Sequence, residues 1–330
     1  MSTNEDYNDV LVSWEVDEIE VPATLTCPPG KGPFPAVIFV AGSGPTDRNW
    51  NTPLVPGTNG SGALLARVLT ENGFITLRYD KRASGPKVQE NIKQLVGKIS
   101  MHGHLEELAG GVDLLARRQD VDASHIFVLT NSEGCVHGIN YQTQSPAFPF
   151  AGMVLTSAFA RPAGDLARNQ IAAQLEAVPG GGDLLAAYDT AIKDFLAGRP
   201  VEIDEHLPEA LRMVIIGVTQ PVNQPFSREL WAYDPTKQLT KVGVPVLIVL
   251  GKKDIQVDWA IDGPLFENVA RKYVNIEIVY MENANHVLKY EPKPRPQITP
   301  ADAMATYSAD TTQLDPDTSK TIITWLKSHL

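Results

Sequence analysis

Only two cysteines, Cys27 and Cys135, occur in 330 residues, too few for a disulfide framework. Clusters of basic residues are missing too, and the net charge of -11 excludes a nucleic-acid surface while favouring solubility. No apolar run approaches the length needed to cross a bilayer, so no membrane span is expected. The opening residues, Met1 to Asp6, are acidic and polar and lack the basic and apolar regions of a signal peptide; a cytoplasmic location is the expectation. Neither an internal repeat nor a low-complexity linker occurs. What remains is ordinary for a globular chain: 43% hydrophobic and 20% charged residues, with length enough for one large α/β domain or a core with a modest insertion.

Hydrophobic patterning gives the organisation. Leu11 to Glu20 alternates like a strand, and Ile19 to Cys27 reads as its hairpin partner before the turn Pro28 to Pro33. Ala36-Val37-Ile38-Phe39-Val40 is a continuous apolar run of the kind found in central parallel strands, and it ends in a glycine-rich loop, Ala41 to Arg48. Ser61 to Asn72 is spaced as a helix, Phe74 to Asp80 as a strand and Leu105 to Arg118 as a helix. The strands Ile126 to Thr130 and Ala151 to Thr156 follow. Alternation of strand and helix implies right-handed crossovers and a mostly parallel sheet flanked by helices. From Arg161 to Leu239 the pattern is helical only (Asp165 to Ala177, Asp183 to Ala197, Pro208 to Ile216), which reads as an all-helical cap. The rhythm resumes with Pro245 to Leu250, a helix near Leu265 to Tyr273, the strand Val274 to Tyr280 and a last helix, Asp317 to His329. Glu291 to Asp315, with four prolines within Pro292 to Pro300, reads as an irregular excursion. The expected division is a core over 1–160, a cap over 161–239 and the second part of the core over 240–330.

Chemistry concentrates where Ile126 to Thr130 turns through Asn131-Ser132-Glu133-Gly134 into a helix. A strand that turns sharply into a helix with a serine at its tip has the form of a nucleophile elbow. The helix directs its first amides, and the positive end of its dipole, at charge forming beside Ser132. The usual pattern is G-x-S-x-G, and Thr130 stands where its first glycine would be. A serine capping a helix after a buried strand is the plain alternative.

Ligand sites of open parallel sheets lie beyond the carboxyl ends of the strands. After Val40 comes the glycine loop, after Thr130 the serine, after Leu250 Gly251-Lys252-Lys253-Asp254, and after Tyr280 Met281 to His286. Serine, then acid, then histidine is the chain order of a hydrolase triad on an α/β sheet. On these residues the chain resembles the α/β-hydrolase superfamily, in particular its esterase branch related to the serine aminopeptidase-like proteins. That group carries H-G-S-G-P-x-D-R, Y-D-x-R-G, G-x-S-E-G, G-x-x-D-x-x-V and a late A-x-H. Here stand Ala41 to Arg48, Tyr79 to Ala83, Thr130 to Gly134, Gly251 to Val257 and Ala284-Asn285-His286, over roughly 35–330. Departures fall at Ala41, Ala83, Thr130 and Cys135, not at the three reacting side chains.

The resemblance implies cleavage of a small-molecule carboxylic ester through an acyl-enzyme, with no metal or organic cofactor. Ser132 Oγ needs an adjacent base, His286, and the imidazole needs an acid to fix its tautomer, Asp254. Amide donors at Glu133 and Ser43 would stabilise the oxyanion, each worth about 3 kcal/mol. The same machinery could release amino acids or acylated peptides, with Asp204, Glu205 or Glu209 holding a substrate amine, or cleave a bulky feruloyl or polyester substrate. A non-catalytic binding protein on a hydrolase scaffold is the reading from another class. A homodimer is compatible with all of these.

Each residue also has a plainer role. Asp258 is a second candidate acid. His102, His104, His125 and His137 compete with His286, but His137 reads as packing, His125 lies at the opposite end of the sheet, and His102 and His104 lack further metal ligands. Asp80 and Arg82 read as an ion-paired brace of the site loops, and Asp47 and Arg48 likewise. Leu184, Leu185, Phe195, Met213, Ile215, Ile216, Phe226 and Trp231 are candidate pocket residues that more simply pack cap helices. Cys135 reads as a reduced, buried thiol.

Overall fold

Alternate residues of the apolar runs face opposite ways, and each face meets its own layer of helices. The computed structural model describes residues 8–176 and 178–330. Its eight strands are β1 (Asn8–Val16), β2 (Ile19–Cys27), β3 (Phe34–Val40), β4 (Ile75–Tyr79), β5 (Val121–Asn131), β6 (Gly152–Thr156), β7 (Val246–Gly251) and β8 (Ile276–Met281). They form one sheet in the order β1-β2-β4-β3-β5-β6-β7-β8. The β1–β2 hairpin and the β2–β4 pair are antiparallel; every later pair is parallel. The hairpin closes on Asp17 and Glu18, both left-handed (φ 52° and 63°), the conformation that matches a two-residue turn to the twist of its strands.

Helices α1 (Ser61–Glu71), α2 (Val88–Leu95), α3 (Met101–Ala116) and α4 (Gly134–Thr143) connect the first strands. Ala36, Ile38, Ile126, Val128, Val246 and Ile248 pack on one side of the sheet with Leu108 and Val112 of α3 and Ile139 of α4. Val37, Phe39, Phe127, Leu129, Leu247 and Val249 pack on the other side with Leu65 and Leu69 of α1. Both faces are therefore dry, which is why these strands read as unbroken apolar runs. Fully burying each such side chain stabilises the fold by about 1.5–3 kcal/mol. The sheet and its two helical layers make an α/β fold, as the periodicity implies.

Between β6 and β7 lie α5 (Ala163–Leu175), α6 (Gly181–Leu196), α7 (Glu209–Thr219), α8 (Phe226–Ala232) and α9 (Pro235–Leu239). The expected helix to Ala177 ends at Leu175, and Ala177 itself is outside the described residues. Ile171, Tyr188, Ile192, Phe195, Leu211 and Ile215 form a separate apolar cluster within these helices. α10 (Trp259–Ala270), α11 (Pro300–Tyr307) and α12 (Pro316–Lys327) complete the chain. Ile322, Trp325 and Leu326 of α12 cover the same sheet face as α1. The proline-rich excursion is less irregular than its composition suggests. Thr299 caps α11 by accepting from the amide of Asp302, whose carboxylate accepts from Thr299 in turn, and Pro300 occupies the first helical position, where no amide is needed. Among the described residues, no helix is long and apolar enough to cross a membrane.

Candidate active site

Ser132 stands between β5 and α4 with φ 52°, a left-handed conformation that a serine holds only when its surroundings enforce it. They do so by hydrogen bonds: the Ser132 amide donates to Thr156 (2.9 Å), and the Cys135 amide donates back to the Ser132 carbonyl (2.9 Å). Gly134 is obligatory, since a Cβ there would lie 2.5 Å from the Val40 carbonyl oxygen and 2.8 Å from that of Ala41. Thr130, the departure from the glycine pattern, fits without crowding. Its hydroxyl reaches the Val154 carbonyl (3.2 Å) and Cys135 Sγ (3.1 Å), and its methyl occupies space left open by Gly138, where a Cβ would stand 3.0 Å away. Burial pushes the Cys135 thiol up to about 12, so it stays protonated.

His286 follows β8, and Asp254 follows β7. His286 Nδ1 is 2.8 Å from Asp254 Oδ2, with both side chains almost wholly buried. The other carboxylate oxygen of Asp254 accepts from the amides of Gln256 (2.7 Å) and Val257 (3.0 Å), so the acid cannot swing away. An ionised Asp254 makes Nδ1 the protonated nitrogen and leaves Nε2 as the free base. The histidine loop is stitched to the serine turn: Asn131 Nδ2 (3.0 Å) and Ser157 Oγ (2.7 Å) both donate to the His286 carbonyl. Ser157 and Leu288 are themselves left-handed (φ 48° and 63°), so strained backbone gathers around this point. Asp258, the rival acid, instead caps α10 through the Ala260 amide and pairs with Arg295 at 3.1 Å.

The glycine loop passes directly over the serine: a Cβ on Gly42 would meet Ser132 Cβ at 3.4 Å. Ser43 is therefore beside the turn that carries Glu133, and neither amide donates to an acceptor among the described residues.

Beneath this turn lies a buried chain of charge. Lys81 Nζ donates to the Gly42 carbonyl (2.6 Å) and lies 3.6 Å from Glu133 Oε1, which also meets His137 Nε2 (3.3 Å). His137 stacks near His104 (4.5 Å between centroids), and His104 Nδ1 meets Glu107 (2.9 Å), which holds Arg82 (2.9 Å). Burial pushes the Glu133 carboxyl up, but the Lys81 ammonium and the His137 hydrogen bond outweigh it and hold it at about 2. Glu107 behaves alike: burial is outweighed by His104 and Arg82, and its carboxyl also lies at about 2. Burial, then the charge of His104, lowers His137 to about 4, so its ring is neutral.

Asp80 and Arg82 do not pair with each other. Asp80 binds Arg48 through the backbone amide (2.6 Å) and the guanidinium (2.7 Å), and Arg82 goes to Glu107 and Asp17. His102 is exposed against Glu106, and His125 binds Asp122 near the start of β5. No cluster of three metal-ligating side chains occurs among the described residues. Leu184, Leu185, Phe195, Ile215 and Trp231 pack in the inserted helices' own cluster, Phe226 packs against His104 and His137, and Met213 and Ile216 are exposed. Asp204, Glu205 and Glu209 are exposed.

Sequence reasoning missed Lys81, Ser157 and Tyr307. Ser157 directly follows β6 and Lys81 lies two residues past β4, so the rule that located Ser132 applies to them equally. Tyr307, delivered by α11, stacks on His286 (6.3 Å, 27°) and accepts from Gln256 (3.0 Å); Arg295 donates to the Asp254 carbonyl (3.0 Å). Nothing local in the sequence marks those contacts.

No protein-family profile matches the chain. It is 25% identical over 287 residues to Esterase EstD of Thermotoga maritima; the match covers 84% of this chain and 60% of that protein, so the chain spans less than two thirds of that relative's length. Among solved structures it is similar to Est1E from Butyrivibrio proteoclasticus, with TM-score 0.56, 15% identity and coverage of 97% and 98% of the two chains. Proline iminopeptidase from Mycobacterium smegmatis gives 0.55 at 13% identity (97% and 98%), and dienelactone hydrolase from Anabaena variabilis gives 0.53 at 14% (99% and 100%).

Proposed function

We propose, on the premise that the chain has the α/β-hydrolase fold, that it is a serine hydrolase that cleaves carboxylic esters. The observation that carries the reading is the conjunction at one sheet edge of a left-handed serine, Ser132, with a buried Asp254–His286 pair at 2.8 Å. The similarity to Esterase EstD supports the ester as the substrate class.

In this reading Nε2 of His286 takes the Ser132 proton as Oγ attacks the ester carbonyl, and Asp254 stabilises the imidazolium that forms. The Ser43 and Glu133 amides receive the oxyanion. His286 returns the proton to the departing alkoxide, which leaves an acyl-Ser132. A water, deprotonated by the same imidazole, releases the acid. No step calls for a metal or organic cofactor. The helices over 161–239 act as the cap and bound the acyl or alcohol pocket, between core segments 1–160 and 240–330. The exposure of Asp204, Glu205 and Glu209 gives a substrate amine no built site, so the ester reading is preferred to the peptide one.

The test is hydrolysis of p-nitrophenyl esters from acetate to palmitate by the wild type and Ser132→Ala. Activity in the wild type, with a loss of about 10⁴-fold or more in the variant, is expected. Comparable activity in both would name the wrong nucleophile, and a wild type inert to every ester would remove esters as the substrate.

A further inference from the structure

We propose that Lys81 is a positioning residue for both oxyanion donors, a role that rests on the serine-hydrolase reading above. Its ammonium donates to the Gly42 carbonyl at 2.6 Å. That carbonyl and the Ser43 N–H belong to one planar peptide unit and point in opposite directions. Fixing the carbonyl therefore fixes the direction of the Ser43 amide. A charged donor on the carbonyl also polarises the whole peptide unit, which makes its N–H a stronger donor toward an anion. The same ammonium lies 3.6 Å from the Glu133 carboxylate, and Glu133 supplies the second amide. One cation thus spans the two chain segments, from β3 and from β5, whose separation sets the width of the oxyanion site.

The side chain of Lys81 is 5% exposed and that of Glu133 9% exposed, so neither contact is an incidental surface pair. His137 Nε2 meets the same Glu133 Oε1 at 3.3 Å, and the His137 ring packs against His104 and Phe226. One oxygen of Glu133 is therefore shared between Lys81 and His137. A lysine suits the place because it offers three donors on one atom, enough to serve a carbonyl and a carboxylate at once.

Three proteins test this: wild type, Lys81→Met, and Lys81→Met combined with Glu133→Gln. The single substitution strands a buried carboxylate and is expected to lower Tm. The double one removes both charges and restores most of that loss. If Lys81 positions the donors, the refolded double variant still lacks its grip on the Gly42 peptide. Its kcat should fall about 10- to 100-fold with KM changed less than about threefold, short of the 10²–10³ that deletion of a donor brings. Binding of a phenylboronic acid, which forms a charged tetrahedral adduct on the serine, should weaken by the same factor as kcat/KM. A double variant that regains the wild-type Tm and the wild-type kcat would overturn the proposal, because Lys81 would then only neutralise Glu133. Activity that survives Ser132→Ala would instead overturn the hydrolase reading itself, whatever Lys81 does.

Discussion

Arg82 and Glu107 meet at 2.9 Å with both side chains 2% exposed, whereas Arg168 and Asp189, on the inserted helices, meet at 2.7 Å with 45% and 38% exposed. The distances are alike and the surroundings are not. Three further ion pairs near the strand ends are dry: Arg48–Asp80, Arg161–Asp262 and Lys81–Glu133 repeat the pattern of Arg82–Glu107. In the inserted helices the pairs Arg168–Asp189 and Arg199–Asp194 sit in water, and an apolar cluster around Tyr188, Phe195 and Ile215 holds the helices together. A buried pair fixes directions and is expensive to break by halves. An exposed pair is screened and fixes little. The groups at the strand ends are thus over-determined, while the inserted helices are held by non-directional packing that tolerates change.

The largest expected effect lies in the dry region. Asp254→Asn keeps the shape but lets the imidazole take the wrong tautomer, so kcat should drop about 10³–10⁴-fold while the circular dichroism spectrum is unchanged. Retention of full activity would mean that the Asp254–His286 bond is only structural. Next, Glu107→Gln leaves the Arg82 guanidinium buried with one exposed partner, Asp17, and should cost about 3 kcal/mol of stability in urea titration.

The wild type should show the same sensitivity through pH. Glu107 and Glu133 titrate near 2 when folded, against 4.5 ordinarily, so the unfolded chain takes up their protons first as pH falls. His137, near 4 when folded against 6.5, does likewise at a higher pH. Stability should therefore decline from about pH 6.5 to 4 through His137, and further between about 4.5 and 2 through the carboxylates. A His137→Phe variant should lose the upper part of that slope, read as Tm against pH.

Thr130→Gly comes next. It removes the hydroxyl contact with Val154, fills nothing, and adds backbone entropy to the unfolded chain, so about 2 kcal/mol of stability should go with no gain in rate. A marked gain in kcat would show that the threonine crowds the elbow after all. Smallest is Arg168→Ala, for which Tm and ester hydrolysis should match wild type; a clear loss in either would erase the contrast between the two regions.

The strands were legible because two dry faces force unbroken apolar runs, as in Val37 to Val40 and Leu247 to Leu250. The positions of Ser132 and Asp254 were legible because each follows such a run; His286 follows the edge strand β8, whose run is broken by the exposed Glu277. The partners of Asp80 and Arg82 were not: they come from Arg48 and Glu107, 32 and 25 residues away, and only the fold brings them near. Helix α11 was hidden by the four prolines before and at its start, although the Thr299 and Asp302 capping pair stood in plain view. The inserted helices show the reverse difficulty. Their periodicity is clear, but which apolar residues face one another and which face water depends on packing that no local pattern encodes.

Thr130 and Gly138 are two residues that share one space. The gap that a glycine at position 130 would provide beside the serine is supplied here one turn into α4, by the missing Cβ at 138. What the turn demands is an unfilled volume between strand and helix, and either side of the gap can concede it. A search keyed to a letter at 130 passes over such a chain, and one keyed to the summed size of 130 and 138 does not. The same reasoning orders any redesign: an alanine at 138 would meet the Thr130 methyl at 3.0 Å, and a smaller residue at 130 relieves that contact first.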